Sequence, residues 1–160
     1  MFQTIPTLYK QWSVTLDIMP TGIVSGWSNI LHVGLGGDMD RYGDRTPGIW
    51  FVGKTTQLHI PSAINGNKDF YTYGFTEPLP MNTWTRVVVT QLRQSDGSYQ
   101  FMIKVGNSIF AKLTNNKPTL FHDVKVYTSD NYFTAAKANI TKPIIWTKKD
   151  ELPPLIPGGN

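Results

Sequence analysis

The chain has 160 residues, of which 40% are hydrophobic, 12% aromatic and only 16% charged. That is enough for one domain with a substantial core, and too aromatic and too poor in charge for a helical bundle or a disordered tail. A formal net charge of +4 raises nucleic acid as a partner, but the basic residues are scattered; the densest group, residues 142–149, is interrupted by Pro143, Ile144, Ile145 and Trp146. No nucleic-acid partner is expected. Cysteine is absent, which excludes a disulfide framework and thiolate metal sites, and no apolar run approaches the length of a membrane span.

Along the chain, strand signals alternate with turn signals. Trp12, Val14, Leu16 and Ile18 alternate with Ser13, Thr15, Asp17 and Met19, so residues 11–19 form a strand with one apolar face, ended by Pro20-Thr21-Gly22. Residues 29–33, 48–52, 58–60 and 69–73 follow as short strands. Residues 83–93 are the longest strand expected, central and covered on both sides. Gln94-Ser95-Asp96-Gly97 turns the chain into a hairpin partner carrying Tyr99, Phe101, Ile103 and Val105; a second hairpin crosses Gly106-Asn107 into Ile109, Ala111 and Leu113. Val124 and Val126 mark a further strand. Residues 134–138 allow a brief helix or a turn. The Pro- and Gly-rich end, residues 151–160, reads as an extended tail following one domain over residues 1–150. Nine or ten strands without crossover helices predict an all-β fold, two antiparallel sheets packed as a sandwich with jelly-roll topology.

Two polar segments stand out. Residues 34–47 hold Asp38, Asp40, Asp44, Arg41, Arg45 and Tyr42 within a glycine-rich stretch. Asp38, Asp40 and Gly43 match the first half of a calcium loop, but Ile49 stands where the closing glutamate belongs and the arginines oppose the charge. The two readings are a calcium site completed from elsewhere, with Asp38 and Asp40 as metal ligands, and a turn held by Asp-to-backbone hydrogen bonds and Arg–Asp pairs. Calcium is the cofactor such a loop admits, and none is required. Asp44 and Arg45 could equally be a structural pair that positions Trp50. The second segment, Asn65-Gly66-Asn67-Lys68-Asp69 followed by Tyr71 and Tyr73, puts amide donors and acceptors beside aromatic faces, as sugar recognition needs, or is simply a turn. His32 and His59 lie within strands among apolar neighbours, where a buried hydrogen-bonded histidine is the ordinary outcome and a ligand contact the alternative.

Enzyme signatures are missing. The glutamates are Glu77 and Glu151, in a loop and in the tail, and an aspartate pair such as Asp38 with Asp44 would be held ionised by its arginine neighbours, which removes the general acid that glycoside hydrolysis needs. There is no Gly-x-Ser-x-Gly elbow, and Gly34-x-Gly36-Gly37 lacks the third spaced glycine of a dinucleotide fingerprint. Asn139-Ile140-Thr141 is an acceptor for N-glycosylation if the chain is secreted.

Trp12-Ser13-Val14-Thr15-Leu16-Asp17-Ile18, Asn29-Ile30-Leu31-His32-Val33, Gly48-Ile49-Trp50-Phe51, Leu58-His59-Ile60, Asn82-Thr83-Trp84-Thr85-Arg86-Val87 and residues 99–104 before Gly106-Asn107 occur in an order that resembles the concanavalin A-like lectin and laminin-G-like superfamily. The resemblance spans residues 11–145. It implies a rigid sandwich that binds sugars or proteins through loops at a sheet edge or on the concave face, often with calcium, in an extracellular or cell-surface setting. Extracellular relatives with a similar loop often carry cysteines there, and this chain has none. The expected function is therefore non-enzymatic recognition of a carbohydrate or glycoprotein. Arg41, Asp44, Arg45, Asn65 and Asn67 would supply polar contacts, and Trp50 or Tyr71 a stacking face. The alternatives are an adhesion or assembly module that binds a protein or forms a homo-oligomer, and, third, a lectin-fold glycosidase.

Overall fold

Period-two patterning decides the architecture. In the computed structural model, which describes residues 1–151, the alternation of Gln11–Pro20 becomes strand β2, with every second side chain buried. The remaining strands are β1 (Gln3–Leu8), β3 (Ser28–Gly34), β4 (Gly48–Phe51), β5 (Leu58–His59), β6 (Ser62–Ile64), β7 (Asn67–Phe70), β8 (Thr85–Arg93), β9 (Tyr99–Val105), β10 (Ser108–Asn115), β11 (Phe121–Tyr127), β12 (Thr134–Ala135), β13 (Ala138–Ile140) and β14 (Ile144–Lys148). Among the described residues there is no helix, and so none long and apolar enough to cross a membrane.

Two antiparallel sheets pack face to face, as expected. The first runs β1-β11-β3-β4-β5, with β12 added in parallel to β3; the second runs β10-β9-β8-β2, with β13 and β14 sharing the free edge of β2. Between them Trp12, Val14, Leu16, Ile18, Val87, Val89, Phe101 and Ile103 meet Leu31, Val33, Ile49, Phe51, Leu58, Val124 and Val126 in one apolar cluster. Trp12 and Phe101 touch edge-on at 6.3 Å between centroids. Each such aliphatic residue contributes roughly 1.5–3 kcal/mol by leaving water. The expected hairpins form: Gly97 (φ 86°) and Gly106 (φ 58°) take the left-handed backbone that reverses the chain between β8, β9 and β10.

Several expectations are corrected. Strand β8 is central, but it is not covered on both sides: Val87, Val89 and Gln91 face the core, while Val88 and Leu92 are half-buried and the preceding Trp84 is exposed. Among the described residues no third layer packs on that face. Residues 69–73 are not a strand of the sandwich; β7 ends at Phe70, paired with β6 in a separate hairpin, and Tyr71 and Tyr73 lie in the loop beyond it. The Asn65-Gly66 turn, with both residues at positive φ, fixes that register. Residues 134–138 are neither helix nor simple turn; backbone pairing to β3 and β2 draws them into β12 and the start of β13. Residues 3–8 and 144–148, not foreseen as strands, close sheet edges as β1 and β14. Of the expected tail, residues 152–160 lie outside the described residues.

Candidate functional site

On β4 and β5 the alternation that sends Ile49, Phe51 and Leu58 into the core sends Trp50 and His59, directly paired across the ladder, to the opposite face. His32 on β3 joins them there, its ring 5.3 Å from that of Trp50. The indole lies flat over Gly48, where a Cβ would come within 2.0 Å of the ring. Gly48→Ala is therefore expected to destabilise the fold by about 1–3 kcal/mol through overpacking, read as a lowered Tm.

Three loops wall this face. In residues 35–47 the fully buried Asp44 accepts the amides of Asp40 (3.0 Å) and Arg41 (2.8 Å) through Oδ2, while its carbonyl meets His32 Nε2 at 2.6 Å. That turn delivers Arg45 onto the Trp50 ring, with the guanidinium carbon 4.3 Å from the ring centroid. The guanidinium is wedged between Asp38 (2.7 Å) and Asp69 (2.8 Å), its side chain only 6% exposed. After β11, Asp130 ties down the second loop: its carboxylate pairs with His32 Nδ1 at 2.8 Å and accepts the amides of Tyr132 and Phe133, and its own amide donates to Asn29. Burial works to raise the Asp130 carboxyl, yet these hydrogen bonds together hold its pKa below the usual range. Phe133 is thereby held edge-on to Trp50 at 5.6 Å. The third loop is anchored by Tyr73, whose hydroxyl donates to the carbonyl of Ile60 and whose pKa is raised by burial and by Asp69; it carries Tyr71 and Phe75 to His59.

The result is a cup of about 270 Å³ lined by Trp27, Met39, Arg45, Trp50, His59, Asp69 and Phe133. Trp27 (39% exposed), Tyr71 (41%) and Phe75 (41%) crowd around His59, with centroid distances of 5.1, 4.6 and 5.6 Å. At the floor Trp50 and His59 are buried, yet among the described residues Trp50 Nε1 and His59 Nδ1 have no hydrogen-bond partner. Buried polar atoms are ordinarily paired, and these two ring nitrogens, like Asp44 Oδ1 and Ser62 Oγ, lack a hydrogen-bond partner among the described residues. Burial pushes the His59 pKa down to about 4, the nearby Asp69 opposing and Arg45 reinforcing the shift, so the ring is neutral at pH 7.

Of the residues singled out from sequence, the structure gathers Arg45, Trp50 and Tyr71. Asp44 lies beneath them as a brace and meets no solvent. Arg41, its side chain 63% exposed, folds back on its own loop, with Nη2 donating to the Leu35 carbonyl and lying 3.3 Å from the Asp44 carboxylate. Asn65 is spent on the backbone of Asn116 and accepts nothing from the cup, while Asn67 caps the amide of Asp69. Asp38 and Asp40 do not fit a calcium site: Arg45 occupies the Asp38 carboxylate, Lys68 donates to the Asp40 carbonyl, and among the described residues no three acidic or histidine side chains converge as a metal site. Sequence reasoning passed over Trp27, Phe75 and Phe133, which come together only through the tertiary fold, and named Asp69 only as the end of the polar segment 65–69. His59 was visible as a polar residue inside an apolar run, but its lack of a partner was not.

No family model matches the chain, and no curated protein matches it in sequence. Solved structures do resemble it. A heptameric SAP-like pentraxin from Limulus polyphemus superposes with a TM-score of 0.59 at 11% identity, over 93% of this chain and 69% of that one. A Trypanosoma rangeli sialidase in complex with sialic acid gives 0.60 at 18% identity over 89% of this chain, which spans only 21% of the sialidase. An alginate lyase in complex with an alginate tetrasaccharide gives 0.55 at 12% identity, over 93% of this chain and 74% of the lyase. The fold thus serves pentraxins and enzymes alike, and by strand order, sheet packing and these likenesses the chain has the concanavalin A-like jelly-roll fold.

Proposed function

We propose that this protein is a non-enzymatic carbohydrate-recognition module whose ligand enters the cup on the outer face of the first sheet. The observation that carries this is the cup with its rim of exposed aromatic rings, Trp27, Tyr71 and Phe75 around His59, above the buried and unpartnered ring nitrogens of Trp50 and His59. A sugar offers an apolar ring face to the rim and hydroxyls to the ring nitrogens. Two structural neighbours were solved holding a sugar, sialic acid in one and an alginate tetrasaccharide in the other, which makes sugars the first ligands to test. Against catalysis, Asp69, the carboxylate lining the cup, and Asp38 beside it are engaged by the same guanidinium, and glycoside hydrolysis needs one free acid and one free base.

A glycan array probed with and without calcium tests the proposal. Binding should be selective and unaffected by calcium. Trp27→Ala or Tyr71→Ala should weaken it about tenfold, the loss of roughly 1.4 kcal/mol of stacking, with little change in Tm. Trp84→Ala, on the second sheet, should leave it unchanged. Equal binding by all three variants would place the site elsewhere. The second reading, assembly through a protein partner or a second copy, rests on the outward face of the second sheet, where Ile144 (67%), Trp84 (51%) and Trp146 (43%) are exposed. It predicts the reverse sensitivity, with Trp84→Ala the damaging change.

A further inference from the structure

The charge of the cup narrows the ligand class. Arg45 is the cation that lines it, and this guanidinium is already committed: Nη1 to Asp69, Nη2 to the Asp38 carboxylate and Nε to the Asp38 carbonyl at 3.1 Å, with its flat face on Trp50. The charged residues lining the cup, Arg45 and Asp69, pair with each other, so the wall offers no uncommitted charge. Sites built for acidic sugars present an arginine fork with its donors free for a carboxylate; here protein carboxylates already hold the fork. Lys68, the other nearby cation, is directed to the Asp40 carbonyl. At the floor, the indole N–H of Trp50 can only donate, whereas His59 Nδ1 accepts when the proton sits on Nε2. A neutral hydroxyl suits either, accepting from the indole or donating to the imidazole.

We infer that the cup selects neutral sugar rings and rejects those bearing a carboxylate, unlike the sialic acid and alginate held by two of its structural neighbours. This rests on the carbohydrate reading above. A ligand carboxylate placed beside Asp69 finds no free guanidinium donor in the cup to pair with.

The test is direct binding of the wild-type protein, at pH 7 and in chelator, to neutral hexose-terminated oligosaccharides and to matched oligosaccharides ending in sialic or uronic acid. The expected result is at least tenfold tighter binding of the neutral set, with the gap narrowed in Asp69→Asn, which removes one negative charge while keeping the side chain's shape. Tighter binding of the acidic set, still lost in Trp27→Ala, would overturn the inference and leave the carbohydrate reading standing. Binding of neither set would overturn both.

Discussion

Arg45→Ala is expected to destabilise the protein by about 3 kcal/mol and to abolish ligand binding. The guanidinium is almost wholly removed from water and makes three kinds of contact at once: ion pairs to Asp38 and Asp69, a hydrogen bond to the Asp38 carbonyl, and a cation–π contact with Trp50. Removing it leaves two carboxylates facing each other without a counter-ion and uncovers one face of a buried indole. Breaking a buried pair ordinarily costs about 3–5 kcal/mol, and the partial exposure of Asp38 and Asp69, at 30% and 23%, places this case at the lower end. Arg45→Lys should fall between, because one ammonium cannot span both carboxylates and lie flat on the ring. Urea denaturation checks this through a lowered midpoint at constant slope. A loss below about 1 kcal/mol would show that the clamp contributes little.

Acid should weaken the fold through His59 before it does so through the carboxylates. In the folded protein the His59 pKa is pushed from 6.5 down to about 4. The unfolded chain therefore binds a proton at this site where the folded one does not, and stability rises with pH across that window. The contribution is complete above pH 6.5 and is lost as pH falls toward about 4; on the order of 2–3 kcal/mol is at stake. Asp130, whose folded pKa is lowered, acts with the same sign but only at lower pH, near and below its unfolded value of 3.8. Stability measured from pH 7 to pH 4 should fall for the wild type and fall less for His59→Gln. Parallel curves for the two proteins would contradict the burial argument for this ring.

The sandwich itself was legible in the sequence because its signals are local. The alternation over residues 11–19 became β2, and the glycine turns at Gly97 and Gly106 became the hairpins that flank β9. Local signals fail where pairing is non-local. Strands β1 and β14 show little periodicity and exist because β11 and β2 offer them open edges. Residues 134–138 have helix-forming alanines, but the unpaired edges of β3 and β2 outweigh that preference. The site divides the same way. Arg45 and Trp50 are five residues apart in one polar-then-apolar stretch, and their partnership was foreseeable. Asp44 is the most buried of the three aspartates in its loop, which shows that an acidic residue in a glycine-rich segment can be a brace for backbone amides rather than a contact for a ligand. Trp27, Phe133 and the pair Asp69 and Phe75 come from three separate segments. Nothing in their spacing announces that they share one cup.

The central claim is that the ligand sits on Trp50 and His59 beneath the aromatic rim. The most direct measurement is a two-dimensional ¹H–¹⁵N spectrum of the indole region, recorded while a neutral oligosaccharide bound on the array is titrated in. The chain has five tryptophans, each giving one indole N–H signal. The account predicts large shifts for Trp50, whose Nε1 gains its missing partner, and for Trp27 at the rim, with Trp12, Trp84 and Trp146 unmoved. Shifts confined to Trp84 and Trp146 would move the binding surface to the second sheet and contradict the account.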